Sequence, residues 1–136
     1  ASLFAKKRRG GILITGAMGS TIGVPYMAVE SGTKSFVQGF SKALNWELKN
    51  TGVHVTVLVT PPTQTPVLAQ LGFRPDNMPS KPVPVEQCVS ESLDALNRNQ
   101  PSILPGRFYR IMNSIIPEKL NRQKMGETMK ANNNIK

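Results

Sequence analysis

Glu30 and Lys34 stand four residues apart in the longest helical pattern of this 136-residue chain. At that separation the two side chains share one helix face and could work as an acid/base pair or simply attract each other. The ion pair is the stronger reading, because a neighbouring ammonium keeps a carboxylate ionised and therefore a poor proton donor at neutral pH. The remaining reactive groups are scattered. Tyr26 lies eight residues before Lys34, about 12 Å away along a helix axis, too far to share a proton with it. His54 falls in a strand pattern with no Ser or Cys motif to pair with, which favours a structural role. Cys88, at the start of a helical pattern, reads as a small buried hydrophobe. The segment from Thr15 to Gly23 superficially resembles a phosphate-binding loop. Its glycines fall at 16, 19 and 23, however, Pro25 delays the helix, and the following strand ends in Val59-Thr60 without an acid.

The elements that carry these residues follow from periodicity. Gly11 to Thr15 is a continuous apolar run, expected of a parallel strand covered on both faces. A helix is predicted from Met27 to Asn50. Phe36, Val37, Phe40, Leu44 and Leu48 form its apolar stripe, Ser35, Gly39, Ala43 and Trp46 a second and smaller one. Gly52 supplies a left-handed stop. Val53 to Val59, dense in β-branched residues, is the strongest strand, so residues 11–59 read as strand, helix, strand with a right-handed crossover. A proline-rich irregular region runs from Thr60 to Pro84, long enough to suggest function. Helices are predicted over residues 85–99 and from Arg107 to the stop at Pro117, with a short strand at Ser102 to Leu104 between them. A weaker basic helix bearing Leu120, Met125 and Met129 follows.

The net charge of +9 sits at the ends. Lys6, Lys7, Arg8 and Arg9 open the chain, and from Arg107 onward seven basic residues face only Glu118 and Glu127; the stretch between is neutral. Basic ends on a neutral body, without interleaved aromatics, argue against a nucleic-acid partner, and a membrane-surface role is the weakest of the options. One cysteine excludes an internal disulfide and points to a cytoplasmic protein. No apolar window is long enough to cross a membrane.

The order of these elements, with Lys34 on the long helix and Thr65 after the second strand, resembles the C-terminal half of a short-chain dehydrogenase/reductase. In that family a Tyr stands four residues before the helix Lys, and a Ser thirteen before the Tyr. Those positions are occupied here by Glu30 and Ala17, leaving Lys34 as the family remnant of the trio. Thr65 matches the threonine that contacts the nicotinamide amide, while Thr60-Pro61 stands where the family has Pro-Gly. The resemblance implies NAD(P) as cofactor, bound through Lys34 and Thr65. The family's pyrophosphate loop has no counterpart, so no cofactor is expected to bind the chain alone.

The resulting expectation is a single truncated α/β domain over residues 1–136, three-layered and Rossmann-like in part, with about three parallel strands flanked by helices. Residues 1–10 would form a basic N-terminal segment, 60–84 a region like a substrate loop, and 117–136 a basic C-terminal tail. The expected function is a catalytically inactive, oligomeric binding or scaffold protein. The alternative is one part of an NAD(P)-dependent oxidoreductase whose nucleotide-binding half comes from elsewhere. Self-association would use the exposed strand 11–15 or the helix 27–50 face with Gly39, Ala43 and Trp46. No metal site is expected.

Overall fold

The computed structural model describes residues 2–70, 73, 78 and 80–132. Three parallel strands form one sheet in the order β1 (Gly10–Thr15), β2 (Val53–Leu58), β3 (Ser102–Ile103). The register runs from Gly10 opposite Val53 to Thr15 opposite Leu58, and β3 adds only Val57↔Ser102 and Leu58↔Ile103. Helix α1 (Ser2–Lys7) leads into β1, α2 (Ala28–Glu47) links β1 to β2, and α4 (Val85–Asn97) precedes β3. The short α3 (Pro66–Gln70), then α5 (Arg107–Ile115) and α6 (Glu118–Asn132), complete the chain. The expected α/β architecture, three parallel strands flanked by helices, is present.

The turn into β2 depends on a glycine. Gly52 has φ +76°, and a Cβ there would lie 2.2 Å from the Arg8 carbonyl oxygen, so the end of α1 can cross this point only against a bare backbone. Within β2 the side chains alternate. His54 and Thr56 face α4, where the His54 ring bonds the Leu96 carbonyl at 2.9 Å and the Thr56 hydroxyl donates to Gln100 O at 2.6 Å. A carbonyl can only accept, so His54 Nδ1 carries the proton, and the histidine is structural as expected. Val53, Val55 and Val57, on the opposite face, are buried beneath α2.

Helix α2 corrects one expectation. It starts at Ala28 and ends at Glu47 instead of spanning Met27 to Asn50, and the face turned to the sheet is polar. Ser31, Gln38 and Ser41 are its buried residues, with Val37, Leu44 and Leu48 half-buried beside them. Phe36 and Phe40, predicted for the core, stack on each other at 6.0 Å between ring centroids and are 71% and 51% exposed. Periodicity located a stripe but could not say which side of the helix met the sheet.

The region 60–84 is also more ordered than expected. Thr63 pairs with Val83 in an isolated bridge, and α3 lies within it; the stretches 71–72 and 74–77 and residue 79 fall outside the described residues. The segment expected as a basic tail is helix α6, docked through Met129 against Ile22 and Val24; residues 133–136 lie outside the described set. A second cluster, Val83, Cys88 and Tyr109, fastens α4 and α5 to the loop before α4, and Cys88 is buried as expected. No described helix is long and apolar enough to cross a membrane.

Candidate functional site

At the carboxyl end of β1 the chain turns through Gly16 and Ala17 into a single 3₁₀ turn, Met18–Thr21, before reaching α2. Hydrogen bonds from the end of β2 hold this turn in place: Gly16 N–H donates to Leu58 O at 2.7 Å, and Met18 N–H to Thr60 O at 3.0 Å. Ligands of open parallel sheets bind beyond such strand ends, and Lys34 and Ala17 are found here.

The sheet-facing line of α2 reaches this turn. Lys34 Nζ donates to the Thr15 carbonyl at 3.1 Å. One turn later Gln38 Nε2 donates to Ala17 O at 2.9 Å and also to Ser20 Oγ. Ser35 Oγ donates to Ser20 O, and Ser31 Oγ accepts the Val24 N–H at 3.0 Å. Thus Lys34 and Ala17 lie at one strand end. Glu30 is exposed on the first turn of α2. Its expected ion pair with Lys34 is absent: the ion pairs among the described residues are Arg110–Glu91 and Arg122–Glu118. The Lys34 ammonium is instead bonded to the backbone carbonyl of Thr15 at the strand end, a partner that sequence spacing does not reveal. Tyr26 is not on the helix at all; it precedes α2 with φ +66° and is half exposed. Thr65 is exposed just ahead of α3.

Three features escaped the sequence reading. Gln38 and Ser20, both buried, clamp the turn that carries Ala17. A glutamine one turn beyond Lys34, on the same helix face, was the available signal. The third is Thr60, whose buried hydroxyl has no hydrogen-bond partner among the described residues. It lies at the end of β2, beside the backbone that holds the turn.

The residues fit NAD(P) only in part. Lys34 and Thr65 occupy nicotinamide-side positions of the resemblance, but the glycine loop is no phosphate cradle: a Cβ on Gly19 would lie 2.7 Å from Val24 Cγ2, so a side chain of the chain itself fills the space. Around Gly16, Gln38 Cγ and Val57 Cγ2 would each stand 3.2 Å from an added Cβ, leaving equally little room. Among the described residues no group of three or more His, Cys, Asp or Glu could hold a metal ion.

The family described as short chain dehydrogenase matches residues 1–74. A very-long-chain 3-oxoacyl-CoA reductase of Neurospora crassa is 40% identical over 60 residues, 44% of this chain and 18% of that protein. Its counterpart in Scheffersomyces stipitis is 46% identical over 55 residues, 40% of this chain and 16% of that protein. Among solved structures, a 7β-hydroxysteroid dehydrogenase superposes with TM-score 0.73 at 24% identity, covering 92% of this chain and 49% of that one. A short-chain dehydrogenase from Sphingobium yanoikuyae in complex with NADPH gives 0.68 at 22% identity, covering 93% and 48%. The chain therefore spans about half the length of these solved structures and a smaller part of the curated relatives, and the structural likeness speaks for the fold. With more than half of its residues matched by the family and the sheet in place, the chain belongs to the short chain dehydrogenases.

Proposed function

We propose that this chain corresponds to the C-terminal half of the family's domain, does not catalyse on its own, and acts as an oligomeric binding or scaffold protein. One observation carries the reading. Where the resemblance calls for a serine hydroxyl and a tyrosine phenol the chain has Ala17 and Glu30, and the Lys34 ammonium is bonded to the Thr15 carbonyl at 3.1 Å. Without a phenol there is no group whose pKa the ammonium could lower for proton transfer to a substrate oxygen. The lone buried cysteine supports a cytoplasmic setting.

Self-association is the natural use of what remains. Strand β1 is at the sheet edge, with unpaired backbone groups that invite pairing. The outer side of α2 offers Gly39, with nothing within 4 Å of an added Cβ, exposed Ala43, and Trp46 at 73% exposure. Sedimentation at low concentration should show a dimer or larger species; a well-folded monomer overturns this part of the reading.

A second reading rests on the family match, which takes in both Lys34 and Thr65. Here the chain is one part of an NAD(P)-dependent oxidoreductase whose nucleotide-binding half lies elsewhere, in another chain or in more of the same one. In this reading the relatives' name supports a 3-oxoacyl-CoA thioester as the substrate class. Fluorescence titration with NADPH, run beside Lys34→Ala, separates the two. The first reading expects no Lys34-dependent binding by the lone chain; tight binding lost in Lys34→Ala establishes the second.

A further inference from the structure

A cleft of about 370 Å³ opens between the Pro25-Tyr26 corner and α6, away from the Lys34 cluster. Its cationic lining is Lys119, Arg122 and Lys130, against the single carboxylate of Glu127. Arg122 is partly committed, donating from Nε to Ile22 O at 2.6 Å and pairing with Glu118. Lys119 and Lys130 make no described hydrogen bond or ion pair, so both ammonium groups are available.

The cleft is also held open by the fold. Gly126 lets α6 lie directly on the Pro25 ring, since a Cβ there would come within 3.0 Å of Pro25 Cγ. Met129 anchors the same helix in the Ile22–Val24 cluster. Tyr26 is the unusual member. Its φ of +66° places an aromatic residue in the left-handed region, and its ring is 53% exposed instead of joining the adjacent core. That backbone state is strained for a residue with a side chain. The result is a flat aromatic face set beside free cations.

We propose that this cleft binds a phosphorylated purine nucleotide, with the base against Tyr26 and the phosphates between Lys119 and Lys130. Stacking on an aromatic ring accepts any base, and ammonium groups serve as point-charge partners for phosphate. The proposal rests on the chain being a binding protein and gives it a ligand class; it needs nothing from Lys34. A free nucleotide and the nucleotide end of a larger carrier share this chemistry.

Calorimetric titration of the full chain tests it, with ADP as the probe and adenosine and inorganic phosphate as ring-only and charge-only arms. ADP should bind saturably and more tightly than either fragment. The double variant Lys119→Glu/Lys130→Glu should weaken ADP by about tenfold or more, while Lys7→Glu, an equal charge change per site outside the cleft, leaves it unchanged. Tyr26→Gly relieves the backbone and should raise the melting temperature while weakening ADP by about tenfold; Tyr26→Phe keeps the ring and the affinity. Lys34→Ala should bind ADP normally, which separates failure here from failure of the functional reading at the strand end. Equal affinity for ADP and ADP-ribose marks the nucleotide alone as ligand, and tighter ADP-ribose a carrier extending past the phosphates. Absence of ADP binding at millimolar concentration, binding that survives the charge reversals in folded protein, or ADP no tighter than phosphate overturns the assignment.

Discussion

On one face of the sheet α2 presents Gln38 and Asn45; on the other α4 presents Cys88 and Ala95. Each helix also buries a serine completely, Ser41 and Ser92, whose hydroxyls turn back to carbonyls of their own helix, Val37 O and Cys88 O. Beyond that likeness the two contacts differ. Gln38 reaches Ala17 and Ser20, and Asn45 reaches Val55 O at 2.7 Å and Asn99 Oδ1 at 2.9 Å. These bonds tie α2 to strand ends and turns far away in the chain. On the α4 side the side chains that reach belong to the sheet and the loop: His54 and Thr56 bond the Leu96 and Gln100 carbonyls, and Thr63 Oγ1 donates to Cys88 Sγ at 3.9 Å, with close packing around Cys88 and Ala95. The face that bears the candidate site is positioned by bonds from the helix side chains, which fix where a turn lies. The opposite face relies more on being filled.

This difference can be broken experimentally. Gln38→Leu leaves the buried Ser20 hydroxyl without its donor and takes one of three donors from the Ala17 carbonyl, and should cost about 3 kcal/mol in urea unfolding, with faster amide exchange in residues 16–21. Ala95→Leu overpacks the α4 contact and should cost about 2 kcal/mol, with exchange near residue 16 unchanged. Ser92→Ala should cost less than about 1 kcal/mol, since the lost bond returns to the helix's own backbone. A Ser92→Ala cost equal to that of Gln38→Leu would mean that the two faces are held alike.

The smallest expected effects concern pH. Burial pushes the Glu91 carboxyl up, but hydrogen bonds from Gln87, Arg110 and the Gly106 N–H, together with the Arg110 charge, outweigh it and hold the group below its ordinary value. A carboxyl depressed in the fold stabilises it above the unfolded pKa of about 4.3 and loses that contribution as pH falls through the lower folded value. Arg110 and Glu91 are 44% and 26% exposed, so Arg110→Ala should cost less than about 1 kcal/mol at pH 7, shrinking toward pH 3. Tyr109 behaves oppositely. Burial raises its phenol, opposed by the bond to Ser80, so its contribution is present below about pH 10 and lost as pH rises through the folded value. Parallel denaturation series at acid and alkaline pH check both signs.

The sequence disclosed the strand–helix–strand unit, which follows from periodicity and β-branched density, while the edge position of β1 follows from the family resemblance. It did not disclose which side of α2 faces the sheet. Phe36 and Phe40 outrank Ser31, Gln38 and Ser41 on any hydrophobic criterion, yet Gln38 points inward to donate to the Ala17 carbonyl and Ser20 hydroxyl, and Ser31 to accept the Val24 N–H. Those partners exist only once the turn has formed. The partner of Lys34 was hidden for the same reason. Glu30 was visible as a neighbour in the chain, whereas Thr15 becomes one only in space.

The docking of α6 sets an order of events in time. Strands β1 and β2 and the helix between them are complete once residue 58 has been made, and their pairing joins positions some forty residues apart. Ile22 and Val24 must wait for Met129, and the Arg122 bond to Ile22 O spans 100 residues of chain. Contacts of such separation close late. During synthesis two apolar side chains at the margin of the site therefore stay partly uncovered until residue 129 has been made. Refolding should show an early phase for the sheet and a slower one for α6, read by an alanine in place of Met129. That variant should slow or abolish the second phase and increase aggregation, leaving the first unchanged.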